Sequence, residues 1–271
     1  MVQEYRTPGG TRNRIGGGLN IRGETSMWVF AFTAILAVAA SASVAAGIDE
    51  RCAVPAELVE TSATLPRAAL AIKRGRLDVI VLSGAPAQTA AGGSLHKYPF
   101  YLEQTLRDRL RDVEVRVFSR AEPRRTVMEI MAGLPRLLEE LKPNLVVWQS
   151  GTIEALRGVD PDGYGRKLDS GVEIVQARGA DVLLVNPQFS PRTDFMIDST
   201  SYTEHMRWVA QTRDVPFFNR FEVMRHWSEN GTFDLAAVRD NGTFEQVHRC
   251  LGQLLGDVIV HAAALSRNAE R

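Results

Sequence analysis

The sequence has no excess of either charge. Its 32 Lys and Arg stand against 32 Asp and Glu, and no basic stripe interleaved with aromatics breaks that balance. Association with nucleic acid by bulk electrostatics needs such an excess, so that class of partner is excluded. Histidine is sparse: five imidazoles are dispersed along the chain, and none falls at a spacing that would hold zinc. Phosphate-cradling loops are missing as well. Gly92-Gly93 is not followed by a helix opening on a Lys-Ser/Thr pair, and no Gly-x-Gly-x-x-Gly follows the first apolar run. The residues therefore call for no metal and no cofactor. Repeats and low-complexity tracts are absent.

Cysteine is almost absent, with two in 271 residues, Cys52 and Cys250. Their reading depends on the N-terminus. Residues 1–26 are polar and glycine-rich and carry Arg6, Arg12, Arg14 and Arg22. They are followed by the uncharged run MWVFAFTAILAVAASASVAAG, residues 27–47. A basic flank, an apolar run and a small-residue exit predict an export signal, with Ala40-Ser41-Ala42 and Ser43-Val44-Ala45 as fitting cleavage patterns. About 20 apolar residues also suffice for a retained membrane anchor, and Met27 would serve as an alternative start. Residues 1–46 are thus read as a basic segment with a signal peptide or anchor, and 47–271 as one domain of ordinary size. The expected location is exported, periplasmic or extracellular, with membrane contact only through that anchor. In such a compartment an even cysteine count favours a Cys52–Cys250 disulfide.

The rest of the chain alternates. Apolar runs at 77–82, 113–118, 144–149, 181–186 and 215–220 predict strands. Amphipathic stretches at 98–112, 127–142, 163–179, 201–214 and 244–265 predict helices, the second kinked at Pro135, and residues 55–75 read as a helical lead-in. Strands that are continuously apolar belong to a parallel sheet covered on both faces. The predicted fold is a three-layer α/β/α sandwich with a central five-stranded parallel sheet of flavodoxin-like order. In such folds ligands sit outside the carboxyl ends of the strands. The loops to inspect are 83–97, 119–126, 150–160, 187–198 and the approach to the last helix.

Those loops carry YPFYLEQTL (98–106), PNLVVWQSGTIEAL (143–156), GTIEALRGVDP (151–161), NPQFSPRT (186–193) and FEQVHRCLGQLL (244–255). In this layout the chain resembles the SGNH/GDSL hydrolases, a family of α/β-sandwich esterases and lipases, over residues 77–265. The resemblance implies an acyl-enzyme mechanism whose nucleophile is the serine of a Gly-Asp-Ser turn after strand one. Aligned on Gly84, that pair falls on Ala85 and Pro86; aligned on Gly92, the serine falls on Gln88. Neither register supplies a hydroxyl, which the chemistry needs; Ser83, Thr89 and Ser94 are the nearby substitutes. Gly84 and Gly151 stand at the family's oxyanion positions, and Ala121 or Arg124 takes the place of the second block's glycine. The third block reads Gly151-Thr152-Ile153-Glu154, where Ile153 cannot give the hydrogen bond of the family's asparagine and Thr152 or Gln149 is left to compensate. Gln188 adds a polar group from the fourth loop. The last block, Glu245-x-x-His248, keeps the spacing of the family's acid and general base, and residues three apart share a helix face. The competing view makes Glu245 a first-turn acid and His248 a packing residue.

Two functions follow from the resemblance. One is an ester hydrolase cleaving acyl or acetyl groups from a small molecule, glycan or lipid. The other is an inactive binder of the same ligands, with the nucleophile and oxyanion positions altered together.

Overall fold

The apolar runs form five strands, β1 (Arg76–Ser83), β2 (Glu114–Ala121), β3 (Leu145–Gln149), β4 (Asp181–Val185) and β5 (Phe217–Phe218). The computed structural model describes residues 50–84, 96–236 and 241–269. The run at 27–47 and the stretch 85–95, with Ala85, Pro86, Gln88, Thr89 and Ser94, lie outside the described residues. Every pairing among the described residues is parallel, in the order β2-β1-β3-β4-β5.

Side chains alternate across each strand, and the helices divide accordingly. Val79, Val81, Val147 and Val185 face a layer made of α1 (Pro66–Lys73), α2 (Tyr98–Arg109), α9 (Arg220–Glu229) and α10 (Asn241–Ala269). Ile80, Leu82, Val146 and Leu184 face the opposite layer of α3 (Val127–Met131), α4 (Leu134–Leu141), α6 (Pro161–Ala177) and α8 (Thr200–Thr212). Trp227 anchors the first layer and Trp148 the second, each with no exposed surface. Burying a large apolar side chain this fully contributes about 1.5–3 kcal/mol. This is the predicted α/β sandwich.

The helices differ from expectation in instructive places. The stretch 127–142 is two helices, broken at Ala132-Gly133. Pro135 causes no kink; it sits in the first turn of α4, where a missing N–H has no intrahelical partner to lose. The lead-in is α-helical only over α1. Two short helices occupy strand-end loops, α5 (Thr152–Arg157) and α7 (Pro191–Met196).

α10 lies hard against α2 because Gly252 and Gly256 present no Cβ. A Cβ on Gly252 would meet that of Tyr101 at 2.5 Å, and one on Gly256 would meet Thr105 Cγ2 at 2.6 Å. Cys52 and Cys250 form a disulfide with Cα atoms 5.0 Å apart, 198 residues distant in sequence. A loop this long corresponds to about 5 kcal/mol in the chain-entropy account, an upper figure. Both features fix the segment of α10 that carries His248. Among the described residues, no helix is long and apolar enough to cross a membrane.

Candidate functional site

At the carboxyl end of β4 the chain turns on Asn186, which has no exposed surface. Its Nδ2 donates to Asn219 Oδ1 at 2.7 Å, and its Oδ1 accepts the Phe221 N–H at 3.0 Å. Asn219 also caps α9, accepting the Glu222 N–H. This clamp brings the first residue of α9, Arg220, inward over the end of the sheet, where it is 3% exposed. Arg220 Nη1 donates to Gln149 Oε1 at 2.9 Å, at the end of β3, and the Tyr98 hydroxyl donates to the same oxygen at 3.1 Å. The remaining guanidinium nitrogens, Nε and Nη2, have neither a partner nor contact with solvent. Burial pushes the Arg220 pKa down to about 10, which leaves it charged at neutral pH. Burial also pushes the Tyr98 hydroxyl up to about 12, against the pull of Arg220.

His248 faces the same region from α10. Its Nδ1 accepts the backbone N–H of Tyr98 at 3.2 Å, an N–H of the first turn of α2 that has no partner within its helix. A backbone amide only donates, so Nδ1 keeps its lone pair and the neutral ring carries its proton on Nε2. Burial, with the nearby charges of Arg220 and Lys97, holds the imidazole pKa down to about 3. Glu245 turns elsewhere. Its Oε1 accepts the Tyr101 hydroxyl at 2.6 Å and lies 3.8 Å from Arg249. The spacing of three residues places acid and imidazole on one helix, yet the carboxylate is bonded to α2.

The glycines at the oxyanion positions have structural work. A Cβ on Gly84 would overlap the carbonyl oxygen of Arg125, and the Gly84 carbonyl accepts the Arg124 N–H at 2.9 Å. The Arg124 N–H is therefore committed. Gly151 has φ +98°, a conformation that favours glycine, and a Cβ there would meet Pro187 at 2.9 Å. Its N–H donates to Glu154 Oε2 at 2.9 Å, while Glu154 Oε1 accepts the Val127 N–H at 2.6 Å. Glu154 thus staples α5 to the start of α3. Burial raises its pKa in spite of these bonds.

What remains open is a cleft of about 220 Å³ at the carboxyl edge of the sheet. Ser83, Thr152, Gln188 and His248 all line it, beside Gln149 and Arg220. A second lobe of about 320 Å³ shares Arg220, Gln188 and His248. The Glu245 carboxylate and the two glycines support this cleft from outside its lining.

With this geometry in view, the comparison with known proteins is specific. The model of the Non-GDSL lipase-like family matches residues 51–265. The chain belongs to that family. Over 61 residues it is 43% identical to Esterase TesA of Pseudomonas aeruginosa, a stretch making up 22% of this chain and 30% of the relative. The chain therefore spans under a third of the length of that relative. Among solved structures, TesA matches with a TM-score of 0.51 at 22% identity, covering 66% of this chain and 99% of that one. The acetylxylan esterase Axe2 from Geobacillus stearothermophilus matches with a TM-score of 0.52 at 16% identity, covering 69% and 94%. The psychrotrophic esterase EstA from Pseudoalteromonas sp. matches with a TM-score of 0.50 at 18% identity, covering 68% and 97%. These are likenesses of fold, that of the SGNH/GDSL-type hydrolases.

In this member of the Non-GDSL lipase-like family, the cleft residues that escaped the sequence reading include Arg220, Lys97 and Tyr98. A signal for Arg220 existed. It sits at the carboxyl end of the fifth apolar run, the place where α/β folds put ligands, but that run ends in β5 two residues before it.

Proposed function

We propose that this protein is an exported SGNH-type domain that holds a small ligand in the cleft at the carboxyl edge of its sheet, without acyl-enzyme turnover. The observation that carries this reading is the wiring of His248. A general base needs a free lone pair on one ring nitrogen and an acid fixing the proton on the other. Here Nδ1 is spent on the Tyr98 amide, the ring resists protonation, and Glu245 is bonded to Tyr101. A ring so held serves as a donor through Nε2. Export is supported by the basic, apolar and small-residue sequence of the N-terminus, together with the Cys52–Cys250 bridge.

A second reading has its own support: Ser83 and His248 line one cleft. With Ser83 as a displaced nucleophile, the protein would be an ester hydrolase of the ordinary class. Short p-nitrophenyl esters and a fluorophosphonate probe separate the two. The binding reading expects no covalent adduct by mass spectrometry and hydrolysis no faster than in His248→Ala. An adduct that disappears in Ser83→Ala would establish the hydrolase. Two free thiols in periplasmic material would remove the export argument drawn from the bridge.

A further inference from the structure

Among the described residues, no carboxylate pairs with the Arg220 guanidinium. The residues lining the first lobe of the cleft include two cations, Lys97 and Arg220, and no carboxylate among the described residues. A buried guanidinium left without an anion is costly, because it has lost its hydration and gained no opposite charge. A protein tolerates such a group where something else completes it.

The neighbouring donors point the same way. Gln149 Oε1 already accepts from Tyr98 and Arg220, so the amide has only its N–H groups left to offer. His248 contributes an Nε2–H for the reason given above. Facing these donors are apolar walls from Leu156, Ile197 and Phe244. The second lobe is less suited to an anion, since Asp234 lines it.

We propose that the first lobe binds a monocarboxylic acid, its carboxylate drawn by the charges of Arg220 and Lys97 toward the Nε2–H of His248 and its apolar body along Leu156, Ile197 and Phe244. This assignment rests on the binding reading and names its ligand class. The acid has two sources, an aliphatic acyl chain or an aromatic ring, and both share this head group.

The test is calorimetric titration and thermal shift of the purified full chain with hexanoate, benzoate, hexanamide and inorganic phosphate. Hexanoate or benzoate should bind and raise Tm, and the stronger of the two identifies the source. The neutral hexanamide should do neither. Arg220→Met should weaken carboxylate binding by about tenfold or more, the loss expected when an attracting charge beside the site is removed. Gln149→Glu is a second variant of nearly unchanged shape. Its carboxylate supplies the missing counter-ion, so it should raise the Tm of the ligand-free protein and abolish carboxylate binding. Hexanamide binding as tightly as hexanoate overturns the proposal, as does a response to phosphate alone. So does hexanoate affinity unchanged in both variants. The parent reading fails separately: a fluorophosphonate adduct would overturn it while leaving an Arg220-dependent carboxylate site in place.

Discussion

At the amino edge of the sheet, Asp78 of β1 accepts from Arg76 Nε at 3.0 Å and Arg116 Nε at 2.6 Å. Asn144, just before β3, accepts the Asp78 N–H at 2.9 Å. Asp181 of β4 accepts the Ala68 N–H at 2.8 Å, at the start of α1. At the carboxyl edge, Arg220 makes one hydrogen bond and leaves two nitrogens without any. The first edge supplies its own partners and holds strands and helices in place. At the second, no carboxylate among the described residues pairs with Arg220, and it is the edge where loops set the chemistry. Burial is similar at Arg220 and Asp181; what differs is completion. An unfinished charge next to a cavity marks a binding site more sharply than the cavity does, because folding alone gives no reason to keep it.

The completed side carries the largest expected effects. Glu154 belongs to the carboxyl edge but is completed, with both oxygens bonded to backbone amides. Glu154→Ala leaves the Val127 and Gly151 donors buried and unpaired, and should destabilise the fold by about 3–5 kcal/mol in urea denaturation. A loss below about 1 kcal/mol would mean these amides find other partners and that completion is not what holds this edge. Asp181 gives a smaller, pH-dependent effect. Burial raises its pKa from 3.8 to about 6, in spite of the amides of α1. Between those values the folded state keeps a proton that the unfolded chain has released, so this group's contribution falls as pH rises from about 4 to 6 and is flat above. The difference is about 3 kcal/mol. Asp181→Asn should flatten that part of the stability profile relative to wild type; identical profiles from pH 4 to 6 would show that Asp181 ionises normally.

Much of this molecule is readable from its residues, and the reasons differ by level. Parallel strands buried on both faces write themselves as unbroken apolar runs such as LDVIVL and DVLLV, so the sheet is legible. The disulfide is legible because two cysteines follow an export-like leader. Thr152 and Gln188 reach the cleft because they follow strand ends, and His248 because the last-block spacing of the resemblance marks it on α10. The break at Ala132-Gly133 is harder, since a helical pattern with Pro135 reads equally as a kink or as the first turn of a new helix. Glu245 illustrates a deeper limit. Its spacing to His248 is right, but Tyr101 on the facing helix takes the carboxylate, and no local pattern reports that competition. Arg220 is the extreme case. One arginine at a helix start looks like any surface charge, and its meaning lies in its burial and in the two nitrogens left without a partner.

The uncompleted side gives the smaller effects, and they should run in the opposite direction. Arg220→Met replaces the guanidinium with a shorter apolar chain and removes a buried charge that no carboxylate among the described residues pairs with. Ligand-free protein should gain about 1–2 kcal/mol, where breaking a completed charge loses stability. Measured destabilisation of that size would instead imply that Arg220 is already paired in solution. His248 tests the same edge through its protonation state. Its folded pKa of about 3 lies below the unfolded value near 6.5, so the group's contribution is full above pH 6.5 and is lost as pH falls toward 3. Long-range nitrogen–proton NMR spectra should show a neutral ring protonated on Nε2 and unchanged from pH 5 to 8. A ring protonated on Nδ1, or one titrating near 6.5, would hand the imidazole back its role as a base. The cleft would then have to be read as a site of turnover, with its unpaired arginine placed to receive the acid that hydrolysis releases.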